Sequence, residues 1–173
     1  MAYNILIAGR AVPEKNIPKS IDLAFELSSH IEGVRCLVVS PVTEKSPDEI
    51  CIIRSRCELY GFELISSRIP QAELKKLIVK SDLFILLSVN ETFGQVYLES
   101  LLNKVPVVCA VNEGISGMVN SLVCHEYRSI DGLLSWLRNH QRLDLLDYFP
   151  EEEDWKVRNA LSPLKSFYKE YVS

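Results

Sequence analysis

Leu83-Phe84-Ile85-Leu86-Leu87 runs into Ser88-Val89-Asn90-Glu91-Thr92-Phe93-Gly94-Gln95-Val96-Tyr97-Leu98-Glu99, and a second apolar run, Val105-Pro106-Val107-Val108, follows. The order reads as strand, polar turn with a glycine, helix, strand. A strand with unbroken apolar character suits burial on both faces of a sheet. In an open α/β sheet, ligands sit outside the carboxyl ends of the strands. The turn after Leu87 therefore falls where a ligand is expected. Glu91 lies in that turn, and Glu99 lies about two turns along the helix behind it.

Working outward, the same alternation fills most of the chain. Asn4–Ala8 is a short apolar run ending at Gly9, a buried-strand signature. Lys19–Ile31 carries apolar residues at helical spacing, from Ile21 and Leu23 to Leu27 and Ile31. Val34–Val39 is a second strand. Ser46-Pro47-Asp48-Glu49 has the form of a helix start, with a cap residue, a first-turn proline and acids, and that helix stops at Gly61. Phe62–Ser66 is a weaker strand, Pro70–Val79 a helix, and Asp82–Leu87 the fourth strand. Gly94–Asn103 then forms a helix and Val105–Val111 a fifth strand. Asn112–Tyr127 reads as irregular, Ile130–His140 as a helix, and Glu151–Asp154 as the acidic start of a last helix ending near Tyr171. The alternation predicts an α/β fold: a parallel sheet of about five or six strands, right-handed crossovers, helices on both faces, and a single domain over residues 4–173.

Composition narrows the function classes. The 173 residues carry a formal net charge of −4, which argues against nucleic acid or an anionic membrane as the main partner. The first residues show no secretory signal, and no apolar stretch approaches the roughly 20 residues of a membrane-spanning helix. Cys36, Cys51, Cys57, Cys109 and Cys124 include no pair at zinc or redox spacing. The reading is reduced thiols and a cytoplasmic protein.

Candidate binding residues cluster after strand ends. Gly9-Arg10 ends the first strand, and Lys15 lies in the loop before the first helix. Such a loop already offers backbone N–H groups and the positive end of a helix dipole. An arginine that grips two oxygens and a lysine that acts as a point charge fit a phosphate there; taken alone, the pair also reads as two solvent-exposed cations on a loop. Glu91, as a carboxylate in the same crevice, suits the hydroxyls of a sugar. Phe93-Gly94 allows a ligand to approach the backbone closely. Arg68 is a candidate for contact with a base, from the loop after the third strand. Nothing resembles a hydrolase triad, a P-loop or a nicotinamide fingerprint.

Taken together, Gly9-Arg10…Glu14-Lys15, Ser81–Ser88, Glu91–Ser100 and Val105–Val108 resemble the C-terminal half of a family 4 (GT-B) glycosyltransferase. The resemblance implies a Rossmann-like domain that binds a nucleotide-diphosphate sugar. It implies that Arg10 and Lys15 hold the diphosphate, Glu91 the donor sugar, Thr92, Phe93 and Gly94 sugar and phosphate through the backbone, and Glu99 the ribose hydroxyls. It implies retaining transfer of a hexose-type sugar to a glycan or lipid-linked acceptor, without a required metal or cofactor. It further implies an N-terminal domain or partner subunit carrying the acceptor, and a place in polysaccharide biosynthesis, where the inner face of a membrane is open to glycan-building enzymes.

The chain departs from the pattern at four places, one of them the absence of a later glycine-rich segment around Asn120–Tyr127. Val39-Ser40-Pro41-Val42 stands where a glycine-bearing loop is usual, Lys104 stands near a usual glycine, and Gly117 stands where an acid is expected. These departures motivate the alternative, a non-catalytic interaction module on the same fold. A different Rossmann-like nucleotide enzyme fits the glutamate spacing less well.

Overall fold

The computed structural model describes residues 2–44, 46–90, 94–110 and 124–139. Six parallel strands form one sheet: β1 (Tyr3–Ala8), β2 (Val34–Val39), β3 (Glu63–Ile65), β4 (Leu83–Leu86), β5 (Val107–Cys109) and β6 (Cys124–Glu126). Their spatial order is β3-β2-β1-β4-β5-β6. The chain leaves β1 toward one edge and returns at β4 to build the other half. The boundary between β1 and β4 is thus the point where strand order reverses, and a crevice opens there above the strand ends.

Among the described residues, four α-helices join the strands, α1 (Ile17–Ser28), α2 (Pro47–Tyr60), α3 (Gln71–Val79) and α4 (Gln95–Leu102), and α5 (Ile130–Asn139) follows β6. Packing pairs α1 with α2 and α3 with α4. Right-handed crossovers from β1 to β2 and from β2 to β3 put α1 and α2 on one face, and the return to β4 puts α3 on the other. The central strands are apolar because both faces are covered. Ile5, Leu6, Ile7, Leu83, Phe84, Ile85 and Leu86 are all buried.

The sequence places these elements within a few residues of their ends, with two corrections. Residues 124–126, expected to be irregular, form β6, pairing with β5 so that Val107 aligns with Cys124. Three residues with a central histidine carry no strand pattern of their own; the neighbour's free edge makes the strand. Ser46 sits at the start of α2 as expected, but its side chain makes no capping hydrogen bond. The helix expected over Glu151–Tyr171 lies outside the described residues, as does His140.

The helix ends follow backbone chemistry. α2 closes with Gly61 at φ 69°, where the Phe62 amide reaches back to the Cys57 carbonyl at 2.8 Å. That is a six-residue reverse bond over a left-handed residue, the ordinary use of a glycine at a helix end. α4 closes the same way, with Val105 N bonded to Ser100 O and Lys104 N to Leu101 O, both 2.9 Å. Here the left-handed residue is Lys104, at φ 60°.

The five cysteines are free thiols, and no group of three metal-ligating side chains occurs among the described residues. No helix among them is long and apolar enough to cross a membrane.

Candidate functional site

The strand that begins the site is β1. Its ladder to β2 continues past the last regular pair: Gly9 N donates to Val39 O (3.0 Å) and Ala11 N to Pro41 O (3.1 Å). The backbone of Arg10 is held between those two bonds. The chain then turns through a short 3-10 segment, Pro13–Lys15, and enters α1 at Asn16, itself left-handed at φ 51°.

Gly9 sits in a tight space. A Cβ built there would lie 3.2 Å from Ile17 Cδ1, 3.6 Å from Leu86 Cδ1 and 3.7 Å from Lys15 Cβ. The glycine lets the first turn after β1, the side chain of Ile17 and the end of β4 converge.

The loop after β4 is bonded to the loop after β1. The Ser88 hydroxyl donates to the Glu14 carbonyl oxygen (3.0 Å), and the Val89 amide donates to the same oxygen (2.9 Å). The Asn16 side-chain amide donates to Leu87 O (3.1 Å), and Leu87 N donates to the buried Ser20 hydroxyl (2.9 Å). Two loops distant in sequence are thereby fixed as one rim. α4 is anchored to the same place from behind: the buried Tyr97 hydroxyl donates to Leu86 O at 2.7 Å.

Between these elements lies a crevice of about 440 Å³. Arg10 and Lys15 line it from the β1 loop, Arg68 from the loop after β3, and Gly94, Gln95 and Val96 from the start of α4. Val39, Pro41, Ile69, Leu74 and Leu86 supply an apolar wall. The volume lies in the range of small-molecule sites, and a mostly apolar lining with a few converging polar groups is their usual make-up. Three cations and the first turn of a helix converge here, so the crevice suits an anion joined to a flat apolar group. Gly94 is left-handed at φ 53°, and its carbonyl accepts from the Tyr97 and Leu98 amides to start α4. Gln95 and Val96 are in the first turn, where an α-helix has no carbonyl of its own for its amides.

Of the residues singled out in the sequence, Arg10, Lys15, Arg68 and Gly94 are brought together in this crevice. Glu99 stands just beyond its lining, about one turn along α4 from Gln95 and Val96. Its carboxylate accepts from Gln71 Nε2 at 2.6 Å. Glu91, Thr92 and Phe93 lie outside the described residues, as does the loop from Asn112 to Gly117. Sequence reasoning missed Gln71, Gln95 and the apolar wall of Ile69 and Leu74. The available signal was their position just after a strand end or at a helix start.

A second depression, of about 470 Å³, lies on α2 alone, between Cys51 and Tyr60. Its only cation, Arg56, is paired with Asp22 (2.8 Å). It sits away from the strand ends, and its Arg56 and Tyr60 are both engaged by Asp22, so the crevice at β1 and β4 is the candidate site.

Residues 2–134 match the family described as glycosyl transferases group 1. The chain belongs to that family. Among curated proteins, this group 1 glycosyltransferase chain is 26% identical over 153 residues to TuaC of Bacillus subtilis (strain 168), a glycosyltransferase assigned to teichuronic acid biosynthesis. The match covers 88% of this chain and 34% of TuaC. Among solved structures it is similar to the trehalose-6-phosphate synthase OtsA, with a TM-score of 0.74 at 15% identity over 98% of this chain and 43% of that one. It is also similar to Anabaena Alr3699/HepE in complex with UDP and glucose, with a TM-score of 0.63 at 17% identity over 87% of this chain and 47% of that one. At these identities the structural likeness speaks for the fold, a Rossmann-like sheet of the GT-B kind. The chain spans about a third of the length of TuaC and less than half of OtsA.

Proposed function

We propose that this group 1 domain is the nucleotide-sugar-binding, C-terminal domain of a retaining family 4 glycosyltransferase, a single domain over residues 4–173. It transfers a hexose-type sugar to a glycan or lipid-linked acceptor, and a second domain or subunit supplies the acceptor and the opposite wall of the cleft. The observation that carries this reading is the convergence of Arg10, Lys15, Arg68 and the start of α4 on one crevice at the reversal of strand order.

The chemistry follows from charge. Transfer breaks the bond between the anomeric carbon and the diphosphate oxygen, so negative charge builds on the departing nucleotide diphosphate. Arg10 and Lys15 stabilise that charge, together with the first amides of α4. Donors fixed in advance are worth most where water is excluded. With two cations and a helix start on the diphosphate, the reading requires no metal ion. Ile69, Leu74, Val39 and Pro41 offer the apolar surface on which a base rests, with Arg68 beside it. Glu99 accepts from the ribose hydroxyls. The reading assigns the donor sugar to Glu91, and further sugar and phosphate contacts to Thr92, Phe93 and Gly94. A domain with one wall of a cleft leaves the reacting centre open to water, which is why a second wall belongs to the reading. The match to less than half of OtsA supports it, and the UDP and glucose held by HepE favour a uridine donor.

Titration calorimetry with UDP-, GDP- and ADP-sugars tests this. One donor class is expected to bind, and Arg10→Ala and Lys15→Ala are each expected to weaken it about tenfold or more, as loss of a charge-assisted contact does. Absence of heat with every donor, and of any shift in melting temperature, would sink the reading and favour the non-catalytic interaction module.

A further inference from the structure

We propose that Gln71 is a positioning residue for Glu99, holding its carboxylate at the rim of the crevice so that it meets a ligand's vicinal hydroxyls; this rests on the nucleotide-sugar reading above. Gln71 opens α3, and Glu99 lies in the middle of α4, 28 residues further along the chain. Their bond is short, 2.6 Å, and an ionised acceptor shortens such bonds.

The bond joins the two walls of the crevice. Ile69 and Leu74, on either side of Gln71 in sequence, line one wall, and Gln95 and Val96, one turn before Glu99, line the other. Glu99 is fixed from below as well. Its backbone carbonyl accepts from the Asn103 side-chain amide (2.7 Å) and the Asn103 main-chain amide (3.1 Å). With its backbone held by the end of α4, the remaining freedom of Glu99 is in its side chain. A long carboxylate side chain loses rotamer freedom when it engages a ligand. Gln71 removes part of that freedom before binding, which is how a supporting hydrogen bond improves a site without touching the ligand.

The chemistry of the pair is directional. The glutamine amide nitrogen can only donate, and the ionised carboxylate can only accept. Gln71 takes up part of the accepting capacity of one carboxylate oxygen, and the remaining lone pairs of Glu99 stay open to hydroxyl donors. Gln71 is solvent-exposed, so its packing contributes little to the core.

The test uses the full chain and its Gln71→Leu, Glu99→Gln and double variants. Dissociation constants are measured for UDP, GDP and ADP and for the 2′-deoxy form of each, with melting temperature alongside. Gln71→Leu is expected to weaken the ribonucleotide that binds roughly three- to tenfold, the size of one hydrogen bond's net contribution. It should weaken the 2′-deoxy nucleotide, which keeps one of the two hydroxyls, clearly less and leave the melting temperature unchanged, and the double variant should bind like Glu99→Gln alone. Equal losses for ribo and deoxy forms, or no loss, would overturn the positioning role while leaving the nucleotide site standing. If the unaltered chain binds none of the nucleotides, the site reading falls and this role falls with it.

Discussion

The side-chain amide of Asn16 donates to the carbonyl oxygen of Leu87 at 3.1 Å, across 71 residues of sequence. Asn16 precedes α1, where an asparagine usually turns its side chain onto the helix's own amides. It makes no such bond. It ties the loop carrying Lys15 to the end of the strand from which the second loop departs. The same residue holds a left-handed backbone at φ 51°, which asparagine tolerates better than most residues. Asn16→Ala should cost about 2 kcal/mol, roughly one for the lost hydrogen bond and one for the left-handed backbone. Asn16→Gly keeps the backbone and should cost less. Asn16→Asp is nearly isosteric but cannot donate, and should cost at least as much as glycine. Urea denaturation of the three variants orders them; a glycine variant less stable than the alanine variant would contradict this account.

Lys104 occupies the left-handed position that closes α4, with both reverse hydrogen bonds of that closure formed. A residue with a Cβ pays roughly 1–2 kcal/mol there, while glycine pays up to about 1 kcal/mol in extra unfolded-chain freedom. Lys104→Gly should therefore raise stability by about 0.5–1 kcal/mol, the difference of those two effects, and Lys104→Ala should not. Equilibrium unfolding of the two variants decides it, since a gain with alanine would point to charge rather than backbone.

Most of the sheet was legible in the sequence because its strands are apolar on both faces and its helix ends are marked by Pro47, Gly61 and Gly94. Each of those residues reports a local backbone constraint that needs no knowledge of the rest of the fold. Arg10, Lys15 and Arg68 were legible as neighbours because each follows a strand end, and parallel strands bring all their carboxyl ends to one edge. β6 was not legible, since Cys124-His125-Glu126 becomes a strand only by pairing with β5. Neither was the bond from Gln71 to Glu99, which depends on how α3 and α4 pack. The left-handed Lys104 was visible only as a lysine near a usual glycine; the backbone angle supplies the reason a glycine is usual.

Gly9 carries a prediction of its own because a Cβ there meets Ile17 Cδ1 at 3.2 Å and little else closely. Ile17 is fully buried, so its methyl group must yield by a few tenths of an ångström within a packed core. Gly9→Ala should cost about 1 kcal/mol, as modest overpacking does. Gly9→Val should cost more and should also intrude on the crevice that Gly9 lines. Thermal unfolding and nucleotide titration on the two variants separate the effects. Alanine is expected to move chiefly stability and valine to lose binding as well; unimpaired binding in the valine variant would mean that the ligand does not use this part of the crevice.

Alkaline pH should weaken the fold before acid-labile groups matter. Burial, and secondarily the charge of Glu58, push the Cys57 thiol up to about 11. Burial also raises the Cys36 thiol, with Cys57 as the lesser cause, and the Tyr3 hydroxyl, with Asp82 as the lesser cause. In each case the folded chain keeps a proton that the unfolded chain sheds at lower pH. An unfolded thiol ionises near pH ~8.5. Where the unfolded state binds fewer protons, stability falls as pH rises. The contribution of Cys57 is therefore fully present below about pH 8.5 and is lost progressively toward about pH 11. The urea midpoint should hold steady to about pH 8 and decline above it. The decline should be shallower in a Cys36→Ala, Cys57→Ala variant, which keeps the contributions of Tyr3 and of the buried Cys124 thiol. A midpoint that stays level or rises between about pH 8.5 and pH 10.5 would show that these thiols are hydrated in the folded protein rather than enclosed between β2 and α2.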